Sequence, residues 1–408
     1  MKILIVSQHF WPENFRINDL AEELSNRGNE VTILTGLPNY PQGQFFEGYS
    51  FMSCGVEIKE KIKIIRVPIV PRYSSSKIQL AINYLSYVFS ASILGPIICR
   101  DKYDIIFNYA PSPLTSGIPA VFLKWIKRSP MIIWVQDLWP EVFKAVEAPK
   151  SKIFFYAVEI LIKWIYRNSN LILVQSKGFI APTIKLVGDN SKIEYFPNWA
   201  ESLYKPVKNK IKIKEFEKIP SNDFIAMFAG NIGSAQSIET IVEAAEKLKS
   251  HPIHWVILGD GRKKDWLKNQ IKKKSLEKYF HILGRKPMES MPDYFSNADV
   301  LLATLRSHPV MSAWIPGKVQ SYLACGKPII AALDGSGAEV IEESKCGYSV
   351  RAGDSEGLAK SVLAMSENTQ KERERMGLNA IRYYKENFDR DKLITNLESH
   401  FKECSKGL

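Results

Sequence analysis

The chain has 408 residues, of which 45% are hydrophobic and 24% are charged. This composition is typical of a globular protein and excludes a disordered chain, and the length predicts two domains because single cores stop growing at about 250–300 residues. The net charge of +12 favours anionic partners, but the absence of zinc-finger spacing, RNP-type motifs and dense arginine runs argues against nucleic acid. Five scattered cysteines without a CxxC pair, and no signal peptide, predict a cytoplasmic protein without a disulfide framework or zinc site.

The first half of the chain alternates short apolar strands with helices. The predicted strands are residues 2–7, 30–35, 62–67, 104–109, 131–135, 171–174 and 192–196, and the predicted helices include 15–27 and 176–187. Continuous apolar strands separated by helices predict a parallel sheet buried on both faces, whose binding edge lies at the carboxyl ends of the strands.

The loop after the first strand reads SQHFWPENFRIND over residues 7–19 and is rich in polar side chains. Arg16 has the geometry to match a phosphate, and Glu13 could act as a base toward a substrate hydroxyl. His9 is a further catalytic candidate, although a lone histidine is more often structural. The sequence therefore predicts a reactive loop at this strand end.

A second polar position follows the strand at residues 131–135, in the sequence WVQDLWPE. Asp137 could accept a hydrogen bond from a reacting hydroxyl. It could equally cap the next helix, ahead of Trp139 and Pro140. Both interpretations stay open from the sequence.

Residues 78–99 are uncharged and about long enough to span a bilayer as a helix. Gln79, Asn83, three serines and a late Gly95-Pro96 pair argue against spanning, so a buried or surface-docking helix is expected.

A basic and aromatic cluster then follows at Lys124, Trp125, Lys127 and Arg128, and residues 152–167 are apolar with basic edges. Such segments can lie in a bilayer interface, or they can pack their apolar faces against the sheet.

Residues 202–222 are charged and carry prolines, which predicts an interdomain linker. The second half then returns to strands, which are predicted at residues 224–229, 255–258, 280–283, 300–304, 328–332 and 348–350. A second doubly wound domain is therefore expected.

Glycine turns follow several of these strands. Gly230 to Gly233, with Gln236 after them, separate a strand from a helix at residues 237–249. Such a turn leaves backbone N–H groups and a positive helix end facing an anion. Gly259 and Arg285 occupy the turns after the next two strands, and Glu339 lies in a further turn that opens a helix.

Lys318 stands in the Pro-Gly-Lys opening of another helix, where it is a candidate to pair with an anionic ligand. The one formal DxD pattern, Asp389 to Asp391, lies at the start of the last predicted helix, where capping is the expected role. The sequence therefore predicts no metal site.

The order FAGNIGSAQ, WVILGDGRKK, HILGRKP, SNADVLLATL and GKVQSYLACGKP resembles the donor half of the retaining GT-B glycosyltransferases of family 4. The opening MKILIVSQHFWPENFRINDL resembles the start of the same family, so the resemblance covers nearly the whole chain. Within the family, SQHFWPENFRINDL, GLPNYP, VQDLWPE, GNIGSAQ and GKVQSYLACGKP are similar to bacterial N-acetyl-L-fucosaminyl transferases of O-antigen and capsule synthesis.

The resemblance implies an α/β GT-B fold with two doubly wound Rossmann-like domains facing a central cleft. It implies an acceptor-binding, membrane-facing domain at residues 1–205, a donor-binding domain at 206–385 and a C-terminal helix at 386–408 that crosses back to the first domain. The implied enzyme is peripheral on the inner face of the plasma membrane. It would move a sugar from a UDP-sugar donor to a polyprenyl-diphosphate-linked saccharide without a metal or other cofactor.

The chain departs from the family pattern at the donor site. The Arg and Lys that usually clamp the diphosphate correspond to Asn231 and Gln236, and the usual glutamate pair corresponds to Ala313 and Ser321. Ser321 could still bond a ribose hydroxyl. The implied donor-binding residues are Arg16, Gly230, Asn231, Gln236, Gly259, Arg285, Lys318, Ser321 and Glu339, with His9, Glu13 and Asp137 as catalytic candidates.

Three rival functions remain open from the sequence. The first is a GT-B transferase for another UDP-hexose or hexosamine, and the second is a UDP-sugar 2-epimerase of the same fold. The third is a binding subunit without catalytic activity, which the missing Arg, Lys and glutamates keep in view.

Overall fold

The computed structural model describes residues 1–73, 76–145, 151–208 and 211–407, and the chain divides into two compact units. Unit 1 comprises Met1–Pro197 and Asp391–Leu408, and unit 2 comprises Asn198–Arg390. The second unit thus begins within the segment that the sequence analysis had given to the first domain.

Unit 1 is built on an eight-stranded sheet in the order β3-β4-β2-β1-β5-β6-β7-β8. Its strands are β1 (Lys2–Val6), β2 (Glu30–Gly36), β3 (Gly55–Lys59), β4 (Ile62–Val67), β5 (Ile105–Ala110), β6 (Met131–Val135), β7 (Leu171–Val174) and β8 (Ile193–Tyr195). All neighbouring pairs are parallel except β3 and β4, which are antiparallel. The predicted parallel sheet is confirmed, with one edge strand that the sequence analysis missed.

The helices of unit 1 before its C-terminal segment are α1 (Arg16–Asn26), α2 (Lys77–Ile98), α3 (Gly117–Lys127), α4 (Val142–Ala145), α5 (Lys152–Asn168) and α6 (Ile180–Val187). In α2 the buried positions recur every four residues, at Asn83, Tyr87, Ala91 and Gly95. A side chain at Gly95 would meet Leu34 of β2 at 2.9 Å, so this glycine lets the helix approach the sheet closely.

Unit 2 carries a six-stranded parallel sheet in the order β11-β10-β9-β12-β13-β14. The strands are β9 (Phe224–Ala229), β10 (Ile253–Leu258), β11 (Phe280–Gly284), β12 (Val300–Thr304), β13 (Ile329–Ala332) and β14 (Gly347–Val350). The helices are α7 (Ile238–Lys247), α8 (Lys264–Lys273), α9 (Met291–Asn297), α10 (Pro309–Ser312), α11 (Gly317–Ala324), α12 (Ser336–Ser344), α13 (Ser355–Glu367) and α14 (Gln370–Asn387). The strand order reverses between β9 and β12, which places a topological switch point at the carboxyl end of β9.

The last helix, α15 (Arg390–Lys406), packs within unit 1 although the chain reaches it from unit 2. Ile394, Leu397 and Phe401 are fully buried, and the Phe401 ring lies 5.5 Å from the ring of Phe107 on β5. The apolar face of α15 is therefore part of the core of unit 1.

Candidate functional site

The glycine turns after β9 and β10 lie directly against each other at the switch point of unit 2. Gly230 N–H donates to the Leu258 carbonyl, and Gly259 N–H donates to the Gly284 carbonyl, both at 2.9 Å. A Cβ on Gly259 would lie 1.9 Å from the carbonyl oxygen of Gly230, and the φ angle of Gly259 is +146°. Only glycine fits this close approach, so the backbone requires the first glycine of the sequence GDG.

Lys318 reaches the same turn from the first turn of α11. Tyr322, one helical turn later on the same face, bonds with its hydroxyl to the backbone N–H and carbonyl of Ala229, and so fixes α11 against the end of β9. Lys318 Nζ lies 3.5 Å from the centroid of the Phe228 ring and 3.0 Å from the place that a Cβ on Gly230 would take. The helix therefore delivers an ammonium group to the glycine turn.

This ammonium group is buried and has no acceptor among the described residues. Burial alone lowers the pKa of Lys318 to about 7. Burying a charge without a partner is energetically costly. A buried lysine with a strongly lowered pKa is therefore a candidate to bind an anionic ligand. Of the predicted donor-binding residues, Lys318 has the geometry most typical of a binding role.

Two further buried polar atoms near these strand ends lack partners in the described part of the chain. They are Oε1 of Gln236, in the turn before α7, and Nε1 of Trp314, in the loop before α11. The Gln236 carbonyl accepts a hydrogen bond from Thr304 at the end of β12, which locates this residue at the strand edge. Trp314 was missed by the sequence analysis because a lone tryptophan in a loop carries no motif.

A pocket of about 320 Å³ opens beside these turns and is lined by Gly230, Asn231, Leu258, Gly259, Asp260, Arg285, Lys286 and Met291. Lys286 is neutralised by Glu215, at 2.6 Å, and Asp260 by Lys264, at 2.8 Å. Arg285 is exposed at the pocket wall. The predicted residues Gly230, Asn231, Gly259 and Arg285 therefore do meet in one pocket.

Two predicted positions, Ser321 and Glu339, are less well placed for a ligand. Ser321 is mostly buried, and its hydroxyl lies 3.4 Å from the Gly317 carbonyl of its own helix. Its neighbour Gln320 is buried and directs its amide nitrogen to the carbonyls of Gly317 and Pro316. Glu339 is exposed in the first turn of α12 and does not line the pocket beside Gly230.

In unit 1 the loop after β1 folds into a histidine and carboxylate pair. His9 Nδ1 and Glu13 Oε2 are 2.8 Å apart, and both side chains are buried. The other oxygen of Glu13 accepts the backbone N–H groups of Asn39 and Tyr40, each at 2.7 Å. Both carboxylate oxygens are thus occupied, so Glu13 orients His9, and His9 is the better candidate to meet a substrate hydroxyl.

Asp137 follows β6 and accepts the Ser112 backbone N–H at 2.8 Å. Burial raises the pKa of its carboxyl, while the hydrogen bonds from Ser112 act in the opposite direction. Burial also raises the pKa of Tyr109, and the nearby charges of Arg16 and Asp137 act on it with opposite signs. Arg16, Tyr109 and Asp137 therefore lie close together at the carboxyl edge of the sheet.

A buried amide network at this edge also escaped the sequence analysis. Asn83 of α2 accepts from Gln8 Nε2 at 2.9 Å, and its own amide nitrogen donates to Val70 O at 2.7 Å and to Asn39 Oδ1 at 3.2 Å. The network joins the loops after β1, β2 and β4 to one helix. It explains the polar residue in an otherwise apolar segment.

The residues of the predicted membrane cluster differ in their exposure and in their hydrogen bonds. Lys124 donates to the Asn168 carbonyl at 2.6 Å and to Asn170 Oδ1 at 2.8 Å, and burial lowers its pKa. Lys124 is therefore a link to the end of α5 and not the surface cation that the sequence suggested. Trp125 and Arg128 are exposed, and Lys127 is partly exposed.

Three neighbouring helices of unit 1 expose large apolar side chains. On α2 these are Ile78, Ile82, Leu85, Phe89, Ile93 and Ile97, on α3 Phe122, Trp125 and Ile126, and on α5 Ile153, Tyr156 and Ile160. The ring centroids of Trp125 on α3 and Trp164 on α5 lie 5.7 Å apart, so these two helices are in contact. We call these twelve exposed side chains the apolar face.

Within the described residues, α2 is the one helix whose length and composition would suffice to cross a membrane, and 22% of its most apolar window is buried. In the same residues there is no group of three or more His, Cys, Asp or Glu side chains placed to hold a metal ion. Asp391 of the formal DxD pattern lies beside Arg27, 3.5 Å from its guanidinium group.

The two units have doubly wound, mainly parallel sheets, which is the architecture found in proteins of the GT-B class. Residues 209–383 match the family model "Glycosyl transferases group 1", and residues 14–199 match "Glycosyl transferase 4-like domain". The chain is 22% identical over 344 residues to the putative colanic acid biosynthesis glycosyl transferase WcaI of Escherichia coli K12, covering 80% of this chain and 82% of WcaI. It is 27% identical over 304 residues to the probable glycosyltransferase WbjE of Pseudomonas aeruginosa, covering 71% and 73%.

Among solved structures, Anabaena HepE in complex with UDP and glucose aligns over 98% of this chain and 99% of its own, with a TM-score of 0.72 and 18% identity. The chain is a glycosyltransferase of the GT-B fold, in which the group 1 match covers most of unit 2 and the 4-like match covers most of unit 1.

Proposed function

We propose that the protein is a retaining glycosyltransferase that moves a sugar from a UDP-sugar to a polyprenyl-diphosphate-linked saccharide during synthesis of a cell-surface polysaccharide. The observation that carries the proposal is the buried ammonium group of Lys318 at the switch-point turn, which has no acceptor among the described residues. A diphosphate bound at the turns after β9 and β10 would supply the missing negative charge and would meet their backbone N–H groups.

The nature of the donor is supported by the comparisons. HepE, which shares the fold of both units, was solved with UDP and glucose. The pocket beside Gly230 carries the exposed guanidinium of Arg285 as a second cation. These features favour a nucleoside diphosphate sugar, and UDP is the nucleotide that we propose.

The sugar that we propose is N-acetyl-L-fucosamine, on the basis of the motif combination in the loops after β1, β2, β6 and β9. The name of WcaI, a putative colanic acid biosynthesis glycosyl transferase, favours a role in polysaccharide synthesis. Another UDP-hexose or hexosamine is the alternative donor. A UDP-sugar 2-epimerase is the alternative reaction.

The proposed chemistry needs no covalent intermediate. The acceptor oxygen forms a bond to the anomeric carbon while the bond from that carbon to the UDP oxygen breaks, both on the same face of the sugar. The acceptor proton passes to the departing phosphate oxygen, and Lys318 stabilises the negative charge that develops there. In this proposal His9, which Glu13 orients, holds the acceptor hydroxyl.

A direct test is a screen of UDP-sugars against a polyprenyl-diphosphate-linked sugar with the full-length protein, in the presence of EDTA. Transfer with retention of configuration from UDP-N-acetyl-L-fucosamine is expected. Transfer only from another sugar nucleotide would replace the sugar assignment. Release of a free 2-epimer would show that the reaction is epimerisation and not transfer. Dependence on added magnesium or manganese would contradict the metal-free mechanism.

The pH dependence of UDP binding tests the role of Lys318 separately. The free protein loses the Lys318 proton as the pH rises above about 7, whereas bound diphosphate favours the protonated form. Binding above this pH must therefore take up a proton, and the affinity for UDP should fall by up to about tenfold for each pH unit between pH 7.5 and 9. UDP is already fully ionised in this range, because the second phosphate pKa is about 6.

Calorimetric titration of the full-length protein with UDP at three pH values measures this effect. In the Lys318→Met variant the pH dependence should disappear. An affinity of the unchanged protein that stays constant from pH 7.5 to 9 would show that Lys318 does not face the diphosphate.

We further propose that the apolar face docks on an anionic membrane, where the lipid-linked acceptor resides. In α2 the exposed residues from Ala81 to Ile97 carry no charge, while Lys77 and Arg100 are exposed near the two ends of the helix. An uncharged apolar surface with basic residues at its margins suits a helix that lies in the plane of an anionic bilayer. A buried core helix would not leave six large side chains exposed on one face.

Replacement of Lys127 and Arg128 by glutamate should weaken co-sedimentation with anionic liposomes, since each basic residue near the surface contributes about 1 kcal/mol. The protein should also leave the liposomes as salt rises, because screening weakens the attraction. Sedimentation at several salt concentrations measures both effects.

The matched control is the double replacement of Lys272 and Lys273 by glutamate, which makes the same change of charge on α8 of unit 2. Equal losses in the two double variants would mean that net charge alone drives binding. No binding of the unchanged protein at low salt would contradict the membrane proposal.

A further inference from the structure

Arg72 is a cation held between two tyrosines in the loop between β4 and α2. Its guanidinium carbon lies 4.9 Å from the centroid of the Tyr40 ring, and its side chain hydrogen-bonds to the Tyr84 hydroxyl. Burial raises the pKa of Tyr84 to about 12, with the Arg72 charge acting in the opposite direction. Stacking on one ring and bonding to a second fix the plane of the guanidinium group.

The backbone of Arg72 is fixed as well. Gly43 approaches it so closely that an added Cβ would lie 2.0 Å from the Arg72 carbonyl oxygen. Tyr40 is in turn held through its backbone N–H by Glu13 at 2.7 Å. The arginine therefore occupies a preorganised position in a loop, where side chains are usually mobile.

Among the described residues this cation has no carboxylate partner. Among the ion pairs of the described residues none includes Arg72, whereas the buried Arg66 of β4 is paired with Glu57 at 2.7 Å. A planar guanidinium group that is oriented but uncompensated is suited to bind a phosphate through two parallel hydrogen bonds. Arg72 thus has the features of an anion site.

Its neighbours on the two sides differ in polarity. Next to it in the chain, Tyr73 and, at the start of α2, Ile78 are 63% and 74% exposed, and Ile78 begins the apolar face. On the other side, the ring of Tyr40 lies 5.5 Å from the ring of His9. Arg72 therefore stands between the apolar face and the candidate catalytic histidine.

We propose that Arg72, held by Tyr40 and Tyr84, binds a phosphate of the polyprenyl-diphosphate headgroup of the acceptor, while the hydrocarbon chain lies along the exposed side of α2. This inference rests on the proposed transfer to a lipid-linked saccharide. The sugar attached to the phosphate then extends past Tyr40 toward His9, so one lipid-linked sugar reaches from the anion site to the acceptor hydroxyl position. The arrangement makes the lipid phosphate a recognition element distinct from the donor diphosphate at Lys318.

The test compares neutral phosphatidylcholine vesicles containing either a long-chain polyisoprenyl phosphate or phosphatidylserine at equal surface charge. The unchanged protein should bind the first kind more tightly. Arg72→Gln should lose this preference, a drop of about tenfold or more, should bind phosphatidylserine vesicles no more weakly than Arg100→Gln does, and should retain its binding to UDP. Tyr84→Phe should lose part of the preference, because the guanidinium keeps its stacking partner but loses a hydrogen bond.

Arg100→Gln is the matched control, since it removes an exposed positive charge just after α2 and should weaken binding to both kinds of vesicle equally. An Arg72→Gln variant that keeps the preference would overturn the inference. Loss of UDP affinity in that variant would assign Arg72 to the donor instead. Complete suppression of the preference by inorganic pyrophosphate at micromolar concentration would indicate a site for free phosphate and would equally overturn it.

The outcome is separable from that of the proposed function. A polyisoprenyl-phosphate preference that depends on Arg72 would stand even if no UDP-sugar in the screen were transferred. Conversely, transfer with full activity in Arg72→Gln at low acceptor concentration would leave the function intact and remove the lipid-phosphate site. The thermal unfolding profile of each variant verifies that unit 1 remains folded.

Discussion

Replacement of Lys318 by methionine is expected to lower kcat/KM for sugar transfer by about 10²–10³-fold, which corresponds to about 2.7–4 kcal/mol of transition-state stabilisation. The chain lacks the Arg and Lys that resembling enzymes carry at Asn231 and Gln236, so the charge of the leaving diphosphate falls to a different residue. Lys318 is the buried cation beside the Gly230 turn, and methionine keeps its length and its contact with the Phe228 ring. Initial rates with the donor found in the screen measure the loss.

The matched control is Lys249→Met, at an exposed position after α7, which should leave the rate unchanged. The variant should also be more stable to heat near neutral pH, since removing a buried uncompensated ammonium group relieves a desolvation cost. Full activity in Lys318→Met would show that another group neutralises the leaving diphosphate. A lower melting temperature would show that Lys318 has a structural role instead.

Gly259→Ala is expected to destabilise unit 2 by about 3 kcal/mol or more. The new methyl group would collide with the Gly230 carbonyl at 1.9 Å, and the positive φ angle adds backbone strain. Since the two turns carry the pocket, UDP affinity should fall together with stability. For a domain of this size, the melting temperature of the unit 2 transition should drop by about 6–12 °C.

Gly284→Ala distinguishes the cost of the steric collision from the cost of backbone strain. Gly284 also has a positive φ angle, +72°, but no atom lies within 4 Å of its added Cβ. It should cost only about 1 kcal/mol, the strain alone. Equal losses at the two positions would mean that the contact between the turns does not determine stability. Differential scanning calorimetry with and without UDP provides both readouts.

The elements that the sequence predicted well are those whose side chains face the core on both sides. Strands such as β6, β7, β9 and β12 were predicted with their observed bounds, because a strand buried on both faces reads as one apolar run. The edge strand β3 was missed, since its alternating residues are exposed or half-buried and two of them are charged. The strand was missed because it lies at the edge of the sheet, where its side chains are not buried.

Residues at the switch-point turn were predictable where a backbone pattern marks them. Gly230, Gly259 and Lys318 stand in turns and helix openings whose local sequence is distinctive. The partners that decide a side chain's role lie far away in the chain: Glu13 is occupied by the backbone of residues 39 and 40, and Lys124 by residues 168 and 170. Such pairings arise only once the strands are side by side.

Arg72 is a residue that no sequence pattern marks. Nothing in the surrounding sequence PRYSSSK distinguishes it from an ordinary surface arginine. Its character comes from Tyr40 and Tyr84, which belong to different elements, and from the lack of an ion pair with any described residue. A cation without a partner is visible only in three dimensions.

The discontinuity of unit 1 has a consequence for biosynthesis. The ribosome releases residues 1–197 first, but α15, whose Phe401 packs against Phe107, is made only after the whole of unit 2. At about 5–20 residues per second, the whole of unit 2 is synthesised in roughly 10–40 s, during which the core of unit 1 lies open on one side. Unit 2 can therefore complete its fold before unit 1, and a nascent chain halted before α15 would carry a folded unit 2 and a unit 1 whose core still lacks one helix.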